Sequence, residues 1–271
     1  MKIPAFDTKK ELFDFLIKNQ NRIIADKTAA VKHADAFTFG AFHVTKDGET
    51  DKANKPITED VDEVKVKAVI NTTNLMDSHD DVHIPGLWTK SLKENKDIYH
   101  DQEHRGEFAS TISDYEDLKA YTETFTWKEL GQKFEGETQG LIFESNVKKD
   151  RNEFMFGQYK SGRVKQHSVG MRYVKIAMAV NDKAWPEEYK TWNKYIDQVA
   201  NREDAEKQGF FFAVTEAKII EGSAVKRGSN HITPTLENNM KQEPAEVTPE
   251  PSYDTQKVSQ EINKVFKQFK F

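Results

Sequence analysis

The sequence predicts an α+β protein, and three observations carry that expectation. Runs with apolar residues at alternate positions recur through the middle of the chain. Val64, Val66 and Ala68, set between lysines, are an example, and they read as a strand with one buried face. Amphipathic stretches lie among these runs, the clearest being Trp185, Tyr189, Trp192, Ile196 and Val199 at spacings of 4, 3, 4 and 3. Apolar residues make up 37% and charged residues 31% of 271 positions, against typical values of roughly 45–50% and 25%. That composition fits one modest core with much solvated surface, not a large, densely packed enzyme.

Taken in order, the chain opens with a helix. Thr8-Lys9-Lys10-Glu11 fits a capping box, and Phe13, Leu16, Ile17, Ile23 and Ile24 form an apolar stripe behind it. Residues 44–62 are polar and read as a linker, so 1–60 is expected to be a helical arm with its tether. The main domain is expected over 61–236. Within it, Pro85-Gly86 punctuates the chain and Leu87–Glu94 reads as a short helix. Tyr121–Trp127, Gly140–Glu144 and Val164–Val174 read as strands. Asn152–Ser161 is helical in pattern and stops at Gly162. The Trp185–Val199 helix, with Pro186 in its first turn, falls in a helical insertion at about 181–208, and Phe210–Val225 is β-rich. Residues 237–254 hold three prolines and read as a second linker. It leads to a terminal amphipathic helix with Val258, Ile262, Val265, Phe266 and Phe269 on one face.

Several function classes are disfavoured by composition. Forty basic and 45 acidic residues give a net charge of −5, which offers no electrostatic footprint for nucleic acid and no polybasic membrane signal. The absence of cysteine excludes a disulfide scaffold, a thiolate metal site and a cysteine nucleophile. Apolar runs such as Ile176–Val180 fall far short of the roughly 20 residues of a membrane helix. The N-terminus breaks into charge too early for a secretory signal, so the expected setting is a cytosol, of a cell or of a host.

Three segments carry candidate chemistry. In Gln166–Tyr173, strand alternation puts His167, Val169, Met171 and Tyr173 on one face and Gln166, Ser168, Gly170 and Arg172 on the other. Small residues around Ser168 leave room for a substrate backbone beside a hydroxyl, and the same alternation argues against His167 as its base. A solvated outer face gives the same pattern. Between 79 and 104 lie four of the eight histidines, including the pair His100-Asp101. A histidine is the usual general base for a serine hydroxyl, because its ordinary pKa of about 6.5 is near working pH. His79, Asp81 and His83, on one face of a strand, are the rival reading as a metal site of a hydrolase, although their spacing matches no zinc motif. In Thr215–Val225, Glu221 sits between Ile219-Ile220 and Gly222-Ser223-Ala224. A carboxylate there is costly to bury unless paired, and it would suit the acid that orients a base histidine.

Together these segments resemble the prohead (head maturation) serine protease family of tailed bacteriophages, which is distantly similar to the herpesvirus assemblins. The resemblance covers roughly Val64 to Pro234. It rests on Asp77-Ser78-His79-Asp80-Asp81-Val82-His83-Ile84-Pro85-Gly86, on His100-Asp101, on Ser168-Val169-Gly170-Met171 and on Glu221-Gly222-Ser223-Ala224-Val225 leading to Asn230. His100 precedes Ser168 by 68 residues and Glu221 follows it by 53, an order shared with that family. The likeness implies a small, mostly antiparallel β-barrel ringed by helices, to which the stripes at the two ends of the chain add helical N- and C-terminal extensions. It implies a serine endopeptidase without metal or cofactor that works inside the procapsid in the host cytoplasm. Scaffold and major capsid protein segments, and the protease itself, would be its substrates, and copies could self-associate. Ser168 is then the nucleophile, His100 the base and Glu221 the third member, with His104 or Glu216 as alternatives for that third place. The amide N–H groups around Gly170–Arg172 are candidates for the oxyanion site. The rival expectation is a non-catalytic scaffold or capsid-interior protein that keeps the fold. Linker 44–62 and the C-terminal tail are the expected self-cleavage sites.

Overall fold

A computed structural model of the chain describes residues 3–33, 57–58 and 60–226, together with the backbone of 42–44 and 50–51. It is α+β, with two sheets and several helices. One sheet is six-stranded, curled and mixed; the other is five-stranded and antiparallel.

Two long strands dominate the first sheet, β10 (Gln166–Val180) and β11 (Phe210–Val225), antiparallel along nearly their whole length. Short β1 (Val31–His33) adds to the outer edge of β10, antiparallel, with Val31 opposite Arg172 and His33 opposite Gly170. On its other side β11 takes two strands in parallel: β5 (Asp81–His83) beside Phe212–Val214 and β6 (Tyr99–Gln102) beside Glu221–Ala224. β7 (Thr111–Ser113) closes that edge against β6. The second sheet runs β3 (Thr50–Asp51), β2 (Phe42–Val44), β4 (Glu63–Thr72), β9 (Glu137–Lys148), β8 (Leu118–Thr126). The expected mostly antiparallel barrel is met only in part, because β11 pairs in parallel with both β5 and β6.

Alternation decides what each strand buries. Val66, Ala68 and Ile70 of β4 and Phe143 of β9 meet Val169 and Met171 of β10 and Ile219 and Ala224 of β11 in the main core. The other end of the β10–β11 hairpin is covered on both faces, which explains the unbroken run Phe210-Phe211-Phe212-Ala213-Val214. Phe211 and Ala213 face Trp192, Ile196 and Val199, while Phe210 and Phe212 face Phe13, Leu16 and Ile23.

The helices follow their sequence signals with some differences. The capping box forms, and α1 (Lys9–Lys18) starts behind Thr8. The single helix expected there is two, because Asn19 ends α1 by donating its side-chain and backbone N–H to Phe15 O before α2 (Gln20–Ala29) begins. These helices pack on β10 and β11, so α1 and α2, expected as an arm, lie against the main sheet. α3 (Thr89–Glu94) and α4 (Glu153–Lys160) lie where expected, α4 being capped by the Asn152 side chain. The 181–208 region holds α5 (Pro186–Tyr195), a short 3-10 turn at Ile196–Gln198 and α6 (Arg202–Gln208). The terminal helix, the second linker and Asn230 lie outside the described residues, as do most of 44–62. Among the described residues no helix is long and apolar enough to cross a membrane.

One glycine is required by close approach between the two sheets. A Cβ on Gly222 would lie 2.4 Å from Phe143 Cε2 and 2.9 Å from its Cδ2. Gly222→Ala is therefore expected to lower unfolding stability by about 1–3 kcal/mol through forced displacement of a fully buried ring. Urea unfolding of the two proteins checks this; equal midpoints would show that the sheets are not in contact there.

Candidate active site

The register of β10, β11 and β6 sorts the candidate residues onto two faces. Residues directly opposite in adjacent strands share a face. Ser168, Ser223 and Asp101 are opposite one another, as are Gly170, Glu221 and Tyr99, so all six positions share one face. Val169, Gly222 and His100 take the other face, which is the main core.

His100 is fully buried there. Its Nδ1 is 2.9 Å from Ser145 Oγ and its Nε2 is 3.1 Å from the Tyr159 hydroxyl, which is 2.8 Å from His167 Nε2. Burial, aided by the neighbouring imidazole of His167, holds His100 well below the usual histidine pKa; burial alone pushes His167 down to about 3. Burial likewise drives the Tyr159 phenol well above its ordinary value. These three rings form a neutral hydrogen-bonded chain inside the core. The structure therefore does not bring His100 to Ser168.

It brings a different histidine to Glu221. β6 ends in a turn whose residues Glu103 and His104 both have left-handed backbone, φ 52° and 58°, a conformation costing on the order of 1 kcal/mol or more each. Bonds to β11 hold the turn: the Glu103 N–H donates to Ala224 O at 2.9 Å and the His104 N–H to Ser223 Oγ at 3.1 Å. His104 thus folds back over the face that carries Ser168. Its Nδ1 donates to Glu221 Oε1 at 2.7 Å, and Ser223 Oγ donates to Glu221 Oε2 at 2.6 Å. Both carboxylate oxygens are engaged, which fixes the imidazole with its proton on Nδ1 and leaves Nε2 as the acceptor.

Gly170 makes room for this arrangement, since a Cβ there would fall 2.0 Å from Glu221 Oε1. His33, at the end of β1, sets its ring 3.9 Å from that of His104, centroid to centroid, with Nδ1 4.0 Å from Glu221 Oε1. Burial and the neighbouring His104 lower the His33 pKa, against the opposing pull of Glu221. Asp101, on the same face, is raised to about 6, first by burial, with a Thr111 hydrogen bond opposing and Glu221 adding to the rise. Its Oδ1 makes no hydrogen bond among the described residues. Ser168 is buried, with 2% of its surface exposed.

The remaining candidates lie elsewhere. Glu216 is ion-paired with Lys175 and, at 3.4 Å, with Lys90, five residues before Glu221 on β11. Asp81 and His83 belong to another buried network. The Tyr173 hydroxyl donates to Asp81 Oδ2 at 3.0 Å and lies 3.0 Å from His83 Nε2, Asn71 Nδ2 is 3.2 Å from His83 Nδ1, and Lys27 pairs with Asp81. His79 is exposed outside it. Of the described residues, His33, His104 and Glu221 offer donor atoms within 4.8 Å of one another. A divalent ion held there would replace the proton shared by His104 and Glu221. Sequence reasoning did not pair His104 with Glu221, because the position of His104 depends on the left-handed turn. One signal was available: Ile98, two residues before His100 and apolar, points the His100 side of β6 into the core.

Comparison of the chain with protein-family models, with curated proteins and with solved structures finds no match.

The core histidines make stability depend on pH. Each is neutral when folded and binds a proton when unfolded below its ordinary pKa of 6.5, so the unfolded state gains protons and stability falls as pH drops below that value. His167→Gln should flatten this fall by on the order of 1 kcal/mol per pH unit below 6.5. Urea midpoints measured between pH 7 and 4 read the slope; parallel slopes for the two proteins would place a charged His167 in the fold. A second expectation concerns the site. Gly170→Ala should displace the Glu221 carboxylate and remove the low-field Nδ1–H proton signal of His104, while leaving the two core histidines unchanged by NMR.

Proposed function

We propose that the chain is a serine endopeptidase of the prohead-maturation kind. Ser168 is its nucleophile, His104 its general base and Glu221 its orienting acid. The observation that supports this most is the His104–Glu221–Ser223 network, which lies on the face of β10 and β11 that carries Ser168. His104 takes the role that the sequence assigns to His100, and Glu221 keeps its own. In this reading the curled sheet is part of the small barrel expected of the family. Scaffold and capsid protein segments inside a procapsid, in a host cytoplasm, are the substrates.

In this reading the chemistry runs through the His104–Glu221 pair. His104 Nε2 takes the proton of Ser168 Oγ as that oxygen adds to the carbonyl carbon of a peptide. Glu221 accepts the Nδ1–H throughout and stabilises the imidazolium, and Ser223 keeps the carboxylate from turning away. The peptide C–N bond then breaks, and the leaving amine takes the proton from Nε2. Water, deprotonated by the same nitrogen, then adds to the acyl carbon, the bond to Ser168 Oγ breaks, and that oxygen takes the proton back from Nε2. Backbone N–H groups would meet the oxyanion, an effect worth roughly 3–4 kcal/mol per donor; Gly170–Arg172, the stretch expected to supply them, is paired with β1 and β11.

The burial of Ser168 favours a second reading, a non-catalytic scaffold or capsid-interior protein with the same fold. A fluorophosphonate probe separates the two. Labelling of one serine is expected, mapped to Ser168 by mass spectrometry and reduced by about three orders of magnitude or more in Ser168→Ala and His104→Ala. His100→Gln, a change in the core, should leave labelling per folded molecule within about tenfold of the parent. Loss in His100→Gln with retention in His104→Ala would return the base to His100. No labelling in any form favours the scaffold.

A further inference from the structure

The outer edge of β10 next to Ser168 is not empty. β1 lies on it over Gly170–Arg172, antiparallel, and its direction is informative: Val31 is opposite Arg172 and His33 is opposite Gly170, so the strand runs toward the position opposite Ser168. An extended peptide adding to this edge in the same sense would lay the residues before its cleaved bond along Gly170–Arg172. Two positions beyond the one held by His33, it would bring a carbonyl to Ser168. β1 also covers the base, since the His33 ring lies against that of His104, centroids 3.9 Å apart and planes tilted by 44°. Its middle residue points to the other face and is latched there. Lys32 Nζ is 3.7 Å from the buried Asp81 carboxylate and 5.5 Å from the centre of the Tyr173 ring. With Ser168 2% exposed, a peptide carbonyl reaches its oxygen only after something moves.

We propose that the edge of β10 from Ser168 to Arg172 is a binding groove for an extended peptide, and that Val31–His33 fills this groove in cis and holds the molecule latent. The proposal rests on the endopeptidase reading for the identity of the groove's ligand as substrate, but the occupancy of the groove is tested without catalysis. Three features make β1 displaceable. It is three residues long, Val31 is exposed at 44%, and its latch is an ion pair that shares Asp81 with Lys27. Activation then consists of exchanging one short edge strand for another, a trade of similar backbone hydrogen bonds that a substrate held at high local concentration can drive.

The chain has no cysteine, so a cross-link can be placed cleanly. In full-length protein carrying Ser168→Ala, the pair Val31→Cys and Arg172→Cys joins directly opposed positions of β1 and β10. The probe is a fluorescent decapeptide, Lys-Thr-Ala-Ala-Val-Lys-His-Ala-Asp-Ala, which copies residues 27–36. Its binding is read by anisotropy. The oxidised protein should bind it about tenfold or more weakly than the same protein after reduction, because only an unlocked β1 leaves the groove. Lys32→Pro, which removes the latch and a backbone N–H, should bind it more tightly than the Ser168→Ala parent. The comparison of oxidised with reduced protein stands on its own if Lys32→Pro does not fold. Equal affinity before and after reduction, or no binding in either state, overturns the proposal. Fluorophosphonate labelling of the same cysteine pair with Ser168 intact is the separate arm. Peptide binding that responds to reduction without any labelling leaves the groove standing and removes the peptidase; labelling that ignores the lock does the reverse.

Discussion

One carboxylate organises the candidate site, that of Glu221. It sits nearly buried at the crossing of β10, β11 and β6, where an unpaired charge would be expensive. Its two oxygens are bonded by His104 and Ser223, and it occupies the volume that a side chain on Gly170 would claim. The strained pair Glu103–His104 is kept in its left-handed form by bonds to the same stretch of β11. Removing the carboxylate would leave the hydroxyl of Ser223 and the ring of His104 without their shared partner. The site is thus a single unit, and its parts are not expected to contribute additively.

Behind it, the same strands carry a second polar chain of different character. His100, Tyr159 and His167 are linked to one another and to Ser145, neutral and fully enclosed. Nothing in this chain faces Ser168. Its hydrogen bonds engage both nitrogens of His100 and the Tyr159 hydroxyl, while His167 Nδ1 has no hydrogen-bond partner among the described residues, and acid that would charge the imidazoles adds to the cost of enclosing them. Two histidines four residues apart, His100 and His104, therefore serve opposite ends. One is fixed in the core by strand geometry, while the turn after the strand returns the other to the opposite face.

Much of this was legible from the residues. Alternation in Gln166–Tyr173 correctly separates Ser168 from His167, and β11 spans the expected Phe210–Val225. The glutamate between apolar neighbours is half of the hydrogen-bonded pair. Local patterns could not reveal which elements pair at long range. β5 and β6 are too short to announce themselves, and their parallel placement on β11 depends on a core assembled from distant segments. Nor could they reveal two consecutive left-handed residues without glycine, because that conformation is imposed by bonds to β11 and not preferred by Glu103 or His104. The break at Asn19 was equally hidden, since the apolar stripe runs on through it from α1 into α2.

The order in which the chain supplies these parts has a consequence for its biosynthesis. His104 and Glu221 are 117 positions apart, and the acid lies on the last described strand. A ribosome releases the alcohol-bearing strand well before the strand that gives it an oriented imidazole. In the proposed reading, nascent chains carry no competent centre until the whole sheet has closed, because contacts so distant in sequence form late and slowly. A peptidase of the proposed kind would stay silent during translation through assembly order alone, apart from any cover that β1 adds.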